Sequence, residues 1–336
     1  MKVAAVIPCF EVRAHIVSVV TEALTQLDHV FVVDDCCPQG SGDLVRESFP
    51  SNRVTVISHQ ENRGVGGATK TGYRAAFDSG YEIVVKIDGD GQMDTAYIPA
   101  LLFPILKGQA DYTKGNRFYR PDYLEKMPLT RLVGNSVLSL MTKASSGYWR
   151  IMDPTNGFTA LHAVAAREIE WTKIDERYFF ESDMLFRLNL ARAVVVDVAM
   201  KARYGSENSN LRITSALFEF ALKHARNCYK RFVYTYLIRD VNAGTLQGIS
   251  GLLFFTFGAA FGAWSWLQHA TVGRDASAGT VMLATLPIIL GFQLLLAALS
   301  YDITNMPQRP LQESLRPTPP WQIEDETSPQ NRASMQ

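Results

Sequence analysis

Two carboxylates stand two residues apart in the stretch IVVKIDGDGQMD, residues 83–94. Ile83, Val84, Val85 and Ile87 form a short β-branched run that reads as a buried strand, and Asp88-Gly89-Asp90-Gly91 ends it. Residues two apart on an extended strand point the same way, so the spacing predicts that Asp88 and Asp90 converge on one ion. The glycines let the backbone turn and come close to a ligand. Oxygen ligands few in number, with room left over, suit Mg2+ or Mn2+ carrying a diphosphate. On its own, Asp-x-Asp reads equally as an acidic turn after a buried strand. The elements around it decide between the two.

Those elements alternate. Residues 2–7 are apolar and β-rich and are stopped by Pro8, and residues 14–27 carry helical apolar spacing. A second strand at 30–33 ends in Asp34-Asp35, a helix follows at 43–49, and a third strand at 54–57. NRGVGGATKTGYRAAF then enters a helix ahead of the Ile83 strand. Strands and helices at this spacing predict βαβ units and a parallel sheet covered on both faces. The glycine cluster Gly64, Gly66 and Gly67 is not a GxGxxG, and no phosphate-loop GKS or GKT follows it. Close helix packing explains it about as well as ligand binding. Further on, residues 110–118 read as a strand ending in Gly115 and Arg117, and 129–143 as a helix carrying Arg131 and Asn135. DPTNGF at 153–158 reads as a polar turn, YFFESD at 178–183 as the opening of a helix, and 194–200 as a last strand delivering Arg203 into a loop.

The charges, 33 basic and 33 acidic in 336 residues, balance, so no global field argues for nucleic acid. Cys9, Cys36, Cys37 and Cys228 lack metal-ligand spacing and read as reduced thiols of a cytosol-facing domain. The opening apolar run is too short for a signal peptide. Residues 246–267 and 278–299 are two charge-free runs of 22, each long enough to cross a hydrocarbon core of about 30 Å at about 1.5 Å per residue. Five basic residues and no acid lie between Lys223 and Arg239, against a single Arg274 in the connecting loop. That asymmetry puts both flanks on the cytoplasmic side. Residues 213–238 interleave Phe218, Leu222, Tyr229, Phe232 and Tyr236 with Lys223, Arg226, Lys230 and Arg231, the composition of a helix lying on an anionic membrane. From Gln308 the chain is Pro-rich and polar and reads as a disordered tail. Gly244, Gly248 and Gly251, with Gly258 and Gly262, predict a small-residue seam at which copies of the hairpin associate.

In order, VIPCF, VVDDCCPQGSGD, NRGVGGATKTGYRAAF, KIDGDGQ, KGNRF, DPTNGF, YFFESDML and ARYGSENSNL resemble the motifs of the family 2 glycosyltransferases of the GT-A fold. The resemblance is closer still to the polyisoprenyl-phosphate glycosyltransferases, in the subgroup with two C-terminal transmembrane helices. It covers residues 2–212 and implies a GT-A domain at 1–212, interfacial helices at 213–243, a membrane hairpin at 244–301 and a cytoplasmic tail at 302–336. The activity it implies is inverting transfer of one sugar from a UDP- or GDP-sugar to undecaprenyl or dolichyl phosphate. It further implies a homo-oligomer, a tetramer in relatives with two such helices, and a bacterial plasma membrane as the setting.

Site roles follow from the same resemblance. Pro8, Phe10 and Asp35 match positions lining the nucleotide, with Asp88, Gly89, Asp90 and Arg117 around the donor diphosphate. Asp88, Asp90 and Gln92 match the metal-binding DxDxQ pattern. Arg131, Asn135 and Arg203 match an acceptor-phosphate site, where guanidinium forks suit phosphate oxygens. Asp153, Asp90, Arg203 and Glu181 fall at the reacting centre, although Glu181 reads as well as an acid stabilised by its helix dipole. The chain departs from the family in having Glu11-Val12 for Asn-Glu after the first strand and Cys36-Cys37 for Gly-Ser after Asp-Asp. A processive polysaccharide synthase would carry Gln-x-x-Arg-Trp and more spans. A catalytically inactive membrane scaffold of the same fold would have lost the Asp-x-Asp or the arginines. Neither description fits the sequence.

Overall fold

The computed structural model describes residues 1–50, 52–120, 129–201 and 213–315. Seven strands make one sheet: β1 (Val3–Cys9), β2 (His29–Asp34), β3 (Val54–Ser58), β4 (Ile83–Lys86), β5 (Tyr112–Asn116), β6 (Thr159–His162) and β7 (Val195–Ala199), in the order β3-β2-β1-β4-β6-β5-β7. β1 to β4 run parallel, as do β5 and β7, while β6 is inserted antiparallel between β4 and β5. The sheet is therefore mostly parallel rather than wholly so. Pro8 does not stop β1. Val6 accepts a bond from Ile87 N–H on the β4 side, and Pro8, two residues on, turns its donorless nitrogen the same way. Pairing with β4 has ended there, so no ladder bond is lost.

Both faces are covered, which is why the strands read as continuous apolar runs. Ala5, Ile7, Val30, Val32, Ile83 and Val85 pack with α1 (Ile16–Leu24), α2 (Ser41–Ser48) and α4 (Ile98–Leu106). Ala4, Val6 and Val84 pack with α3 (Gly64–Asp78), α6 (Ala163–Arg167) and α7 (Phe180–Leu190). Each fully buried Val or Ile side chain contributes roughly 1.5–3 kcal/mol. The strand ends that carry the polar turns are thereby fixed on both sides.

α5 (Leu129–Ser146) and α8 (Ile213–Val233) lie together beside α7, and α8 continues through a π-helical turn, Tyr234–Arg239, into α9 (Ala243–Val272) and α10 (Ala278–Thr304). α9 and α10 are long and apolar enough to cross a membrane, with only 11% and 6% of their most apolar windows buried. Gly251 and Gly258 face α10: a Cβ on Gly251 would stand 3.0 Å from Gly291 O, and one on Gly258 2.7 Å from Ala284 O. These glycines let the two helices of one hairpin touch. Gly251 and Gly258 are thus taken up by contacts within the hairpin.

Arg231 also departs from expectation. It is buried, and its guanidinium donates to both oxygens of Asp302 at 2.7 and 2.8 Å, which Trp149 Nε1 and the Tyr236 hydroxyl join at 2.8 and 2.5 Å. This cluster fastens the hairpin to the sheet domain instead of facing headgroups. The exposed face of α8 carries Phe218, Leu222 and Tyr229, and α5 exposes Val133, Val137 and Leu140 at i, i+4 and i+7. The chain after Gln308 is partly structured: α11 (Leu311–Ser314) folds back, with Leu311 and Gln312 N–H donating to Asp111 at 2.9 and 3.0 Å.

Candidate active site

The C-terminal ends of β1, β2, β4 and β5 share one edge of the sheet, the edge where open α/β folds bind ligands. Because β6 is antiparallel and its Thr159 pairs with Lys86, the polar turn before it arrives at that edge too. Asp88 and Asp90 lie beyond β4, in the turn and not on the strand. Strand alternation therefore does not align these two carboxylates. Asp90 Oδ1 accepts the Gln92 N–H at 2.9 Å, which shapes the turn. Gly89 packs beneath β1, where a Cβ would stand 3.3 Å from Pro8 O and 3.0 Å from Val12.

The alternation rule applies one step earlier. Lys86, 1% exposed, donates to Asp88 Oδ1 at 2.6 Å and to Glu181 Oε1, on the first turn of α7, at 3.2 Å. Burial opposes its ammonium, but Asp88 and Glu181 hold it well above the ordinary lysine value. The sequence had one signal for this residue: a lone charge in a buried strand needs a partner on its own side.

A second cluster adjoins the first. Arg117, just past β5, donates through Nε to Asp153 Oδ2 at 2.6 Å and through Nη2 to Oδ1 at 2.7 Å. Asp153 is fully buried in a left-handed conformation, φ 53°. Burial pushes its carboxyl up, but the Arg117 bonds and charge, with Lys114 behind them, bring it below the usual range. Both oxygens thus face Arg117. Lys114 Nζ donates to Asp153 O and Asn156 O at 2.5 and 2.6 Å and fixes the turn between them, while burial pulls its pKa down to about 8. The same turn ends in Gly157, where a Cβ would overlap Lys86 Nζ and come to 2.8 Å from Asp88 Oδ2. One turn therefore joins the Arg117–Asp153 pair to the Lys86–Asp88–Glu181 cluster.

Other expected residues are placed differently. Asp35 is buried and serves mainly as a cap: its carboxylate accepts Arg63 and Gly64 N–H at 2.9 and 2.7 Å at the start of α3, and His59 Nδ1 lies 2.7 Å away. The glycine-rich stretch is a packing device, since Gly67 N–H donates to Glu176 O and a Cβ on Gly66 would stand 2.6 Å from Asp175 O. Phe10 is exposed at the end of β1. Asn135 is half-buried on α5, with no bond to the clusters above. Arg203 and the Arg131 side chain lie outside the described residues.

Among the described residues no three His, Cys, Asp or Glu side chains group to cage a metal. Two carboxylates at an open turn still fit Mg2+ or Mn2+, which are held by one or two carboxylates plus substrate phosphates.

Residues 4–170 match the family described as glycosyl transferase family 2. The chain is 29% identical over 231 residues, 65% of its length and 91% of the relative's, to a UDP-N-acetylglucosamine–dolichyl-phosphate N-acetylglucosaminyltransferase of Methanococcus voltae. It is 30% identical over 177 residues, 50% and 69% of the two chains, to an undecaprenyl-phosphate mannosyltransferase of Micrococcus luteus. In fold alone it is similar to mannosyl-3-phosphoglycerate synthase from Rubrobacter xylanophilus, with TM-score 0.50 and 18% identity over 72% of this chain and 77% of that one. The matched segment holds Asp88, Asp90, Arg117 and Asp153. The chain belongs to glycosyl transferase family 2 and is a glycosyltransferase of GT-A-like fold.

Proposed function

We propose that this enzyme transfers a single sugar, with inversion, from a UDP- or GDP-sugar to a polyprenyl phosphate at the cytoplasmic face of a membrane. The observation that carries it is the joining, in one chain, of a carboxylate-bearing turn at the ligand edge to two helices with outward apolar side chains. That arrangement suits a water-soluble donor and a lipid acceptor. Relatives named for dolichyl and undecaprenyl phosphate support the acceptor class. The exposed apolar residues on α5 and α8 suit contact with lipid.

Asp88 and Asp90, with Gln92 beside them, would hold a Mg2+ or Mn2+ ion that neutralises charge on the departing nucleoside diphosphate. Pro8, Phe10 and Gly89 line the end of β1 where the nucleotide would lie. Arg117, held in position by Asp153, supplies a fixed positive charge at the same edge. An acceptor phosphate oxygen attacks the anomeric carbon as the bond to the diphosphate oxygen breaks. That oxygen is already anionic near neutral pH, so positioning and charge neutralisation carry most of the rate. Arg203 and Arg131 are the proposed grip on the acceptor phosphate.

The test is purified full-length enzyme in bilayers containing polyprenyl phosphate, given labelled UDP- and GDP-sugars in turn. Label should enter the organic phase with a matching donor, stop with EDTA or Asp90→Ala, and return when Mg2+ or Mn2+ replaces the chelated ion. Lipid labelling undiminished by Asp90→Ala, or no lipid labelling with any donor, overturns the assignment.

A further inference from the structure

Lys86 has no part in the chemistry above. A nearly inaccessible ammonium in a strand otherwise made of Ile83, Val84 and Val85 must be matched by anions. It is matched from two layers of the fold: by Asp88 Oδ1 at 2.6 Å, from the turn after its own strand, and by Glu181 Oε1 at 3.2 Å, from α7. Gly157 closes a further side, since any Cβ there would overlap Nζ. The stem is packed in the interior, so the ammonium is confined beside Asp88 whatever else binds there.

That confinement has an electrostatic consequence. A divalent cation approaching Asp88 meets a carboxylate already engaged by a fixed positive charge, and it is repelled by that charge in a partly desolvated setting. Two further anionic oxygens from a nucleoside diphosphate would offset the repulsion. Glu181 shares the ammonium and so moderates its effect on Asp88.

On the assignment of Asp88 and Asp90 to a diphosphate-bound ion made above, we propose that Lys86 is a positioning residue that acts as a built-in counter-cation. It lowers the affinity of the carboxylate turn for a divalent ion alone, so that the ion is held firmly only together with the nucleotide. Glu181, the second partner of the ammonium, sets the strength of this effect.

The experiment is Mn2+ binding to the full-length protein without nucleotide, read from the electron paramagnetic resonance signal of free Mn2+. Lys86→Gln should tighten binding by roughly tenfold or more, within reach of one unit charge a few ångström away, and Lys86→Arg should stay near wild type. A residue that only supports the fold cannot give that sign: its loss loosens the turn and weakens Mn2+ or leaves it unchanged, and either result overturns the proposal. Should Lys86→Gln fail to fold, Glu181→Gln decides. It should weaken Mn2+ binding severalfold, since the ammonium then bears on Asp88 alone, and an unchanged affinity overturns the proposal. A separate titration of wild type with UDP and GDP in saturating Mn2+ keeps the two levels apart. If neither nucleotide binds, the donor assignment itself fails. If one binds and Lys86→Gln does not tighten Mn2+, only the role of Lys86 fails.

Discussion

Asp153 grips Arg117 through both carboxylate oxygens, at 2.6 and 2.7 Å, from a fully buried position in a left-handed backbone conformation. A carboxylate so engaged orients a cation and does not collect a proton. Asp153→Asn keeps the shape but loses the charge and one of the two acceptors. It should lower kcat by at least about tenfold, a loss of about 1.4 kcal/mol in transition-state stabilisation, with a smaller change in nucleotide affinity. Steady-state kinetics with varied donor checks this, and an unchanged kcat contradicts it.

The same pair predicts a pH dependence of stability. The folded pKa of Asp153 lies below its ordinary value because the Arg117 bonds and charge outweigh burial. A depressed carboxyl contributes stability that is fully present above its unfolded pKa, about 3.9. That stability is lost as pH falls through the folded value. Wild type should therefore lose stability more steeply than Asp153→Asn as pH drops below about 4. Denaturant titrations across that range check the slopes, and equal slopes contradict the account.

Gly157 is the contact between the two clusters. Gly157→Ala places a methyl group against Lys86 Nζ and Asp88 Oδ2, and the ammonium, buried in the interior, has no room to withdraw. Overpacking of this kind typically costs about 1–3 kcal/mol. Donor binding should fall with it, because the group displaced is Asp88. Thermal melting together with a nucleotide titration measures both, and a variant with native affinity would contradict the link.

Cys36 occupies a left-handed backbone, φ 56°. A side chain there costs roughly 1–2 kcal/mol, which the loss of glycine's unfolded-state freedom partly offsets. Cys36→Gly should leave stability equal or raise it by up to about 1 kcal/mol. A fall in melting temperature would show that the thiol makes a contact that matters.

Much of this architecture is legible in the sequence because it rests on local chemistry. β1, β2 and β4 announce themselves by β-branched runs, and α9 and α10 by charge-free length. β6 does not, since Thr159–His162 is four residues with no alternation, and its direction is set by neighbours far along the chain. The Arg117–Asp153 pair joins residues 36 apart across two loops, and no spacing rule foretells it. Lys86 was within reach, for it stands two residues before Asp88 at the end of a buried strand and donates to it. The hairpin glycines show another limit. Spacing finds a face of small residues, but it does not tell whether that face meets its own chain or a second copy.

The most direct test of single-sugar transfer to a lipid phosphate is the mass and anomeric configuration of the lipid product, after incubation with polyprenyl phosphate and the accepted donor. The account predicts polyprenyl phosphate heavier by one sugar residue, with one phosphate and an anomeric centre inverted from the donor's. A second phosphate carried over from the donor, a chain of several sugars, or retained configuration would contradict it.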